Sequence, residues 1–95
     1  MIAIITVTFK NGYRPSTVFE ALKRVSRNYA GLLVVKGTVV SIEAMDEYSI
    51  VLTAYSESLS SLLKAVRSIE EAYTRIGAVV EARLAAGRDV FACVS

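Results

Sequence analysis

Residues 58 to 84, SLSSLLKAVRSIEEAYTRIGAVVEARL, decide how the rest of the chain is arranged. Leu59, Leu62, Leu63, Val66, Ile69, Tyr73, Ile76, Val80 and Leu84 recur three or four apart. An α-helix returns such residues to one stripe, because a turn takes about 3.6 residues. Lys64, Arg67, Glu70, Glu71, Arg75, Glu81 and Arg83 take the other side. Arg67 with Glu71 and Glu71 with Arg75 are spaced to pair across one turn, at about 0.2–0.5 kcal/mol each. The phase predicts one helix to about Ala86, closed by Gly87 with Arg83 and Arg88. The alternative is that Gly77 ends the helix and residues 78–84 form a strand. Either way the stripe needs a covering layer.

Upstream of that helix lies the material for a sheet. Residues 2–9 are rich in Ile, Val, Thr and Phe, types that suit a pleated surface, and predict a first strand. Asn11-Gly12 marks a turn, and Pro15 fits the first turn of a helix, where its missing N–H costs nothing. Val18, Leu22, Val25 and Tyr29, with Phe19 beside them, carry that helix to about Tyr29, and Gly31 stops it. Lys23, Arg24 and Arg27 crowd its last two turns, where the helix dipole favours cations. Residues 32–44 return to strand composition, interrupted at Lys36-Gly37 by a bulge or by a break into two shorter strands. Met45-Asp46-Glu47 turns the chain, Tyr48 to Tyr55 forms the next strand, and Ser56 or Ser58 caps the long helix. Residues 90–94 are expected to add a short edge strand. The order β-α-β-β-α, with a final strand in reserve, predicts a single-domain α+β sandwich. Two helices cover one face of an antiparallel sheet, as in a ferredoxin-like fold or a truncated relative.

Composition narrows the chemistry. Ninety-five residues, 54% of them hydrophobic, suffice for one core, whereas a charged fraction of 21% leaves an apolar surface. That surplus either fills a dense core or is buried between subunits; the large surface of so small a domain favours the second, hence a homodimer. A net charge of +2 is too balanced for a dedicated nucleic-acid binder. Without histidine the chain lacks the commonest general base and metal ligand. Its single cysteine, Cys93, reads as a small buried hydrophobe. Glycines stand singly, so no phosphate-binding loop is present, and Asp46-Glu47 sit in a turn that points them apart into water. No serine has a histidine to activate it. The chain is expected to be a non-enzyme with no cofactor and no metal. The apolar start is too short to span a bilayer, which predicts a cytoplasmic protein with no membrane partner. The candidate contact residues are basic: Lys23, Arg24 and Arg27 from the first helix, Lys64, Arg67 and Arg75 from the second. Side by side they would make a modest basic surface for an acidic partner or an RNA backbone.

The run Tyr48-Ser49-Ile50-Val51-Leu52-Thr53-Ala54-Tyr55-Ser56-Glu57-Ser58, followed by Ser61-Leu62-Leu63-Lys64-Ala65-Val66-Arg67-Ser68-Ile69, resembles the small dimerisation subunit of the KEOPS complex. Val18-Phe19-Glu20-Ala21-Leu22 agrees with that family's first helix. Arg67-Ser68 and Leu59-Ser60 depart from its usual second-helix residues, and residues 87–95 have no counterpart in it. The resemblance implies a non-catalytic subunit that dimerises through its sheets. Its helices would dock on the ATP-dependent catalytic subunit that modifies transfer RNA to threonylcarbamoyladenosine. Lys64 and Arg67 would then face that partner or the tRNA. The competing expectation is a ligand-binding domain of the ACT or amino-acid-responsive regulator type, which the run Ile76-Gly77-Ala78-Val79-Val80-Glu81-Ala82-Arg83 resembles. Residues 78–84 divide the two, helix favouring the KEOPS-like subunit and strand the regulator.

Overall fold

A computed structural model describes residues 1–85 in full and the backbone of 86 and 90–93. The elements run β1 (Ile2–Thr8), α1 (Pro15–Val25), β2 (Arg27–Tyr29), β3 (Leu32–Val35), β4 (Thr38–Met45), β5 (Ser49–Tyr55), α2 (Leu59–Thr74), β6 (Val79–Ala86) and β7 (Val90–Cys93). They form one sheet in the order β2-β3-β4-β5-β1-β6-β7, with every neighbouring pair antiparallel. The inner four strands, β4-β5-β1-β6, with α1 and α2 as crossovers, are the split β-α-β arrangement of a ferredoxin-like sandwich. The expected fold class therefore holds, enlarged by the β2-β3 hairpin and by β7.

The core is a single layer between sheet and helices. Ala3, Ile5 and Val7 of β1 and Ile50, Leu52 and Ala54 of β5 have no exposed surface. Each trio alternates with residues on the opposite face, as the two-residue period of a strand requires. Val18 and Leu22 from α1 and Leu62, Ala65, Ile69 and Tyr73 from α2 close over them. The buried Tyr73 hydroxyl donates to the Val18 carbonyl at 3.3 Å and so ties the helices together. Burial pushes its pKa up to about 12. Of the long stripe, Leu59 and Leu63 lie beside the core and remain partly open to water.

Two expected helix ends are corrected. The second helix stops at Thr74, not near Ala86, and the segment after it is the strand β6. Gly77, at φ +90°, takes the left-handed position after the helix. The Ala78 N–H then bonds the Tyr73 carbonyl and the Gly77 N–H the Thr74 carbonyl, both at 3.0 Å. These are the two bonds of a Schellman closure. The Gly87 and Arg88 expected to end a longer helix lie outside the described residues. The first helix stops at Val25 rather than Tyr29, so Arg27 and Tyr29 belong to β2. Gly31 is part of a hairpin turn, not a helix stop. Ala30-Gly31 and Lys36-Gly37 are each a pair of positive-φ residues, the conformation of the tight turn that joins twisted antiparallel strands. The interruption at Lys36-Gly37 is thus a hairpin between two strands. The expected bulge occurs elsewhere in β4, between Ile42 and Ala44. Ser58 is the N-cap of α2, its hydroxyl accepting from the Ser61 N–H at 3.3 Å. The edge strand expected at residues 90–94 is present as Val90–Cys93, but the burial expected for Cys93 falls outside the described side chains.

Candidate functional site

Two surfaces remain after the core is closed: the outer side of the helix pair and the uncovered face of the sheet. α1 and α2 run antiparallel, since Thr17 near the start of α1 and Ile76 just past the end of α2 line the same cavity. That cavity, about 240 Å³, lies between the helices over Ala21 and Ala72. Small side chains at these facing positions leave the space open. Arg24 and Arg75 reach its edge, and so do Glu20 and Glu71. Among the described residues none of these four forms an ion pair within 4.0 Å. Among the described residues the only such pair is Arg83 with Glu81, at 3.6 Å and exposed. The anticipated bridges from Glu71 to Arg67 and to Arg75 are therefore open.

The six basic residues do not form one surface. Arg24 and Arg75 converge, but with two carboxylates, so the groove is balanced in charge rather than basic. Lys23 lines a separate shallow hollow with Phe19, Leu22 and Leu33. Lys64 and Arg67 are exposed on α2. Arg27 sits on β2, paired opposite Val34, which places it on the uncovered face of the sheet and away from the other five. The sequence singled out Glu71 only as a pairing partner for Arg67 and Arg75 and Glu20 not as a site residue, although each stands four residues before an arginine.

The uncovered face is the more apolar of the two surfaces. Its strand rows bring together Val34, Val39, Tyr55 and Ile2, and behind them Ile4 and Val51. Ile2 is 43% exposed and Tyr55 49%. Thr6, Thr8, Ser41 and Thr53 supply neutral polarity between them, and Glu81 and Arg83 bring opposite charges on β6. The signal was visible in residues 2–5, where Ile2 and Ile4, facing away from the core, are as apolar as Ala3 and Ile5, facing it.

At the end of the sheet nearest the β1-α1 loop, Asp46 organises the β4-β5 turn. Its carboxylate accepts from the Tyr48 N–H at 2.8 Å, the Ser49 N–H at 2.7 Å and the Ser49 hydroxyl at 2.9 Å. Those bonds, the Tyr48 amide first, hold its pKa below the ordinary carboxylate value. The Tyr13 hydroxyl donates to the carbonyls of Asp46 and Ser49, the latter at 3.3 Å, and ties the β1-α1 loop to the turn. Asp46-Glu47 thus forms a structural turn, not a carboxylate pair converging on a pocket. Among the described residues no three His, Cys, Asp or Glu side chains group as metal ligands, and no helix is long and apolar enough to cross a membrane. No protein-family model matches the chain, and neither a curated protein nor a solved structure matches it.

Proposed function

We propose that the chain is a non-catalytic, cytoplasmic module that pairs with a second copy through the uncovered sheet face and presents its helices to a further partner. The observation that carries this reading is the apolar face itself. The four longer strands, β4-β5-β1-β6, at about 4.8 Å spacing and seven or eight residues long make a footprint of roughly 19 by 23 Å, which the four-residue β3 extends at one side. Projected flat, this is a little over half of the ~800 Å² per partner that a stable dimer covers, before side-chain relief adds to it. Glu81 and Arg83 are two residues apart on the same side of β6. A two-fold axis running across the strands would set each against its opposite on the second copy.

Within that role the residues of β5 and α2 support a KEOPS-like subunit, docking its helices on an ATP-dependent tRNA-modifying enzyme with indirect contact to tRNA. A specific observation favours the second reading. Residues 79–86 are a strand, and that outcome is the one that distinguishes a ligand-sensing regulator of the ACT type from the KEOPS-like subunit. Affinity purification from the native host, read by mass spectrometry, separates the two. Recovery of the threonylcarbamoyl-transferring ATPase with its kinase would establish the assembly, and Arg67→Glu should then weaken it without unfolding the domain. Recovery of the protein alone would reject the assembly and leave the regulator reading. Sedimentation of the pure protein tests the shared premise, since a monomer at micromolar concentration would contradict both.

A further inference from the structure

The side chains lining the cavity between the helices spell one pattern twice. On α1 it is Thr17-x-x-Glu20-Ala21-x-x-Arg24-Val25; from α2 it is Ser68-x-x-Glu71-Ala72-x-x-Arg75-Ile76. Each residue of the second set stands 51 positions after its counterpart (17 to 68, 24 to 75). The buried neighbours follow the same rule, Val18 matching Ile69 and Leu22 matching Tyr73. The surrounding elements do not share that offset. β1 and β5 begin 47 positions apart (2 to 49), and the helices begin 44 apart (15 to 59). The match therefore belongs to the trough and not to a copied half-domain. Because the helices are antiparallel, the two sets are related by a local two-fold axis passing between Ala21 and Ala72.

We propose that this trough binds one small zwitterion carrying a carboxylate and an ammonium, of the α-amino-acid class. On each wall the acid and the arginine are four residues apart and so project from the same side of the helix. The antiparallel arrangement sets the glutamate of one wall toward the arginine end of the other, so charge alternates around the mouth. An anion alone would meet two guanidinium groups and two carboxylates together, and a cation alone would meet the same conflict. A zwitterion satisfies both, its carboxylate accepting from a guanidinium fork and its ammonium donating to a glutamate. The balanced rim disfavours phosphate and nucleic-acid backbone. A volume of about 240 Å³ lies below the ~300–1,000 Å³ typical of larger ligands, and it suits a molecule the size of an amino acid. Val25, Ile76 and the two alanines give its side chain an apolar floor, and the hydroxyls of Thr17 and Ser68 flank it. The two-fold gives the ligand two equivalent orientations, so each wall contributes alike.

The test is a titration of the full chain followed by amide NMR shifts, using a panel of free L-amino acids, with acetate and methylammonium chloride as half-ligands. At least one amino acid is expected to shift Ala21 and Ala72 saturably at millimolar concentration, while neither half-ligand does. Arg24→Gln and Arg75→Gln should each weaken binding, by a similar factor of roughly ten, and the double variant should abolish it. Both arginines are exposed, so thermal melts should confirm that the variants remain folded. Absence of saturable shifts with any amino acid would overturn the proposal, as would equal binding of acetate or undiminished binding by the double variant. An amino-acid ligand rests on the regulator reading, whereas the proposed dimer face lies on the opposite side of the sheet; a failed titration therefore leaves the dimer standing, and sedimentation tests that separately.

Discussion

Ile4 and Ile5 are neighbours on the central strand and face opposite ways. Ile5 is sealed beneath the helices at 0% exposure, whereas Ile4 faces outward between Thr53 and Arg83, with only neighbouring side chains to shelter it. The same contrast runs along β5, where Ile50 and Leu52 are sealed and Val51 is not. The inward positions of these two strands are all apolar, whereas the outward ones mix Ile2, Ile4, Val51 and Tyr55 with Thr6, Thr8, Ser49 and Thr53. On the inner face, apolar residues meet a helix layer that removes water on every side; on the outer face no element among the described residues lies over them. A wholly polar outer face would mark a sheet solvated on one side and a wholly apolar one a sheet covered twice; this face lies between the two, and the proposed pairing rests on its apolar half.

Matched truncations test that contrast most strongly. Ile5→Ala should cost about 2–5 kcal/mol in chemical unfolding, through lost transfer energy and the cavity left behind. Ile4→Ala should cost about 1 kcal/mol or less in dilute protein, with a larger, concentration-dependent loss where the dimer forms. Equal costs at all concentrations would mean that the outer face is already covered within the chain. Next in size is Tyr73, which belongs wholly to the inner layer. Its folded pKa of about 12 lies above the 10.0 of a tyrosine in water. The folded state therefore holds the proton more tightly, and the stability it contributes is complete below pH 10 and declines as pH rises toward 12. Two units correspond to an order of 2–3 kcal/mol. Tyr73→Phe should remove that part of the alkaline decline while losing the bond to Val18; an unchanged decline would place the phenol in water.

Asp46 shows the opposite sign at the exposed end of the sheet. Its lowered pKa means that its stabilising bonds are complete above the ordinary aspartate value of 3.8 and vanish as pH falls through the lower folded value. Asp46→Ala should flatten that part of the acid unfolding curve, with a smaller shift in midpoint than Ile5→Ala produces. The smallest effect is expected at Glu81→Gln, which breaks the exposed pair with Arg83. Pairs of that kind contribute about 0–1 kcal/mol in a free chain. A clear drop in dimer affinity with no change in monomer stability would place Glu81 in the interface.

The fold class was legible because the strand composition of β1 and β5 and the stripe of α2 are long and consistent. Both misread boundaries have one cause. Val25 to Tyr29, and Ile76 to Val80 to Leu84, are steps of four residues. Four is nearly one helical turn and also twice the strand period, so such a step keeps a residue on the same side in either conformation. Val80, Ala82 and Leu84 face the helices as alternate residues of a strand, and the helical stripe had already counted two of them. Gly77 held the answer, but its left-handed φ is a property of the folded backbone. Of the candidate site, Arg24 and Arg75 were legible as cations, while their place opposite Glu20 and Glu71 depended on how two helices distant in sequence pack. Arg27 was misplaced with the end of α1.

The position of β1 also has a consequence for synthesis. It is made before the other strands of this sheet, yet its neighbours in the finished sheet are β5 and β6. The first of these ends 47 positions later, counting from Thr8 to Tyr55. At ~5–20 residues per second the ribosome needs roughly 2–10 seconds to deliver it. Through that interval IAIITVT has both edges unpaired, and Lys10 is the first charge to follow it. α1, formed from local contacts, can shade one face, while the β2-β3-β4 meander made in the same interval does not pair with β1. Ribosome-bound chains stopped just before β5 should therefore be the form most prone to aggregate and most dependent on chaperones.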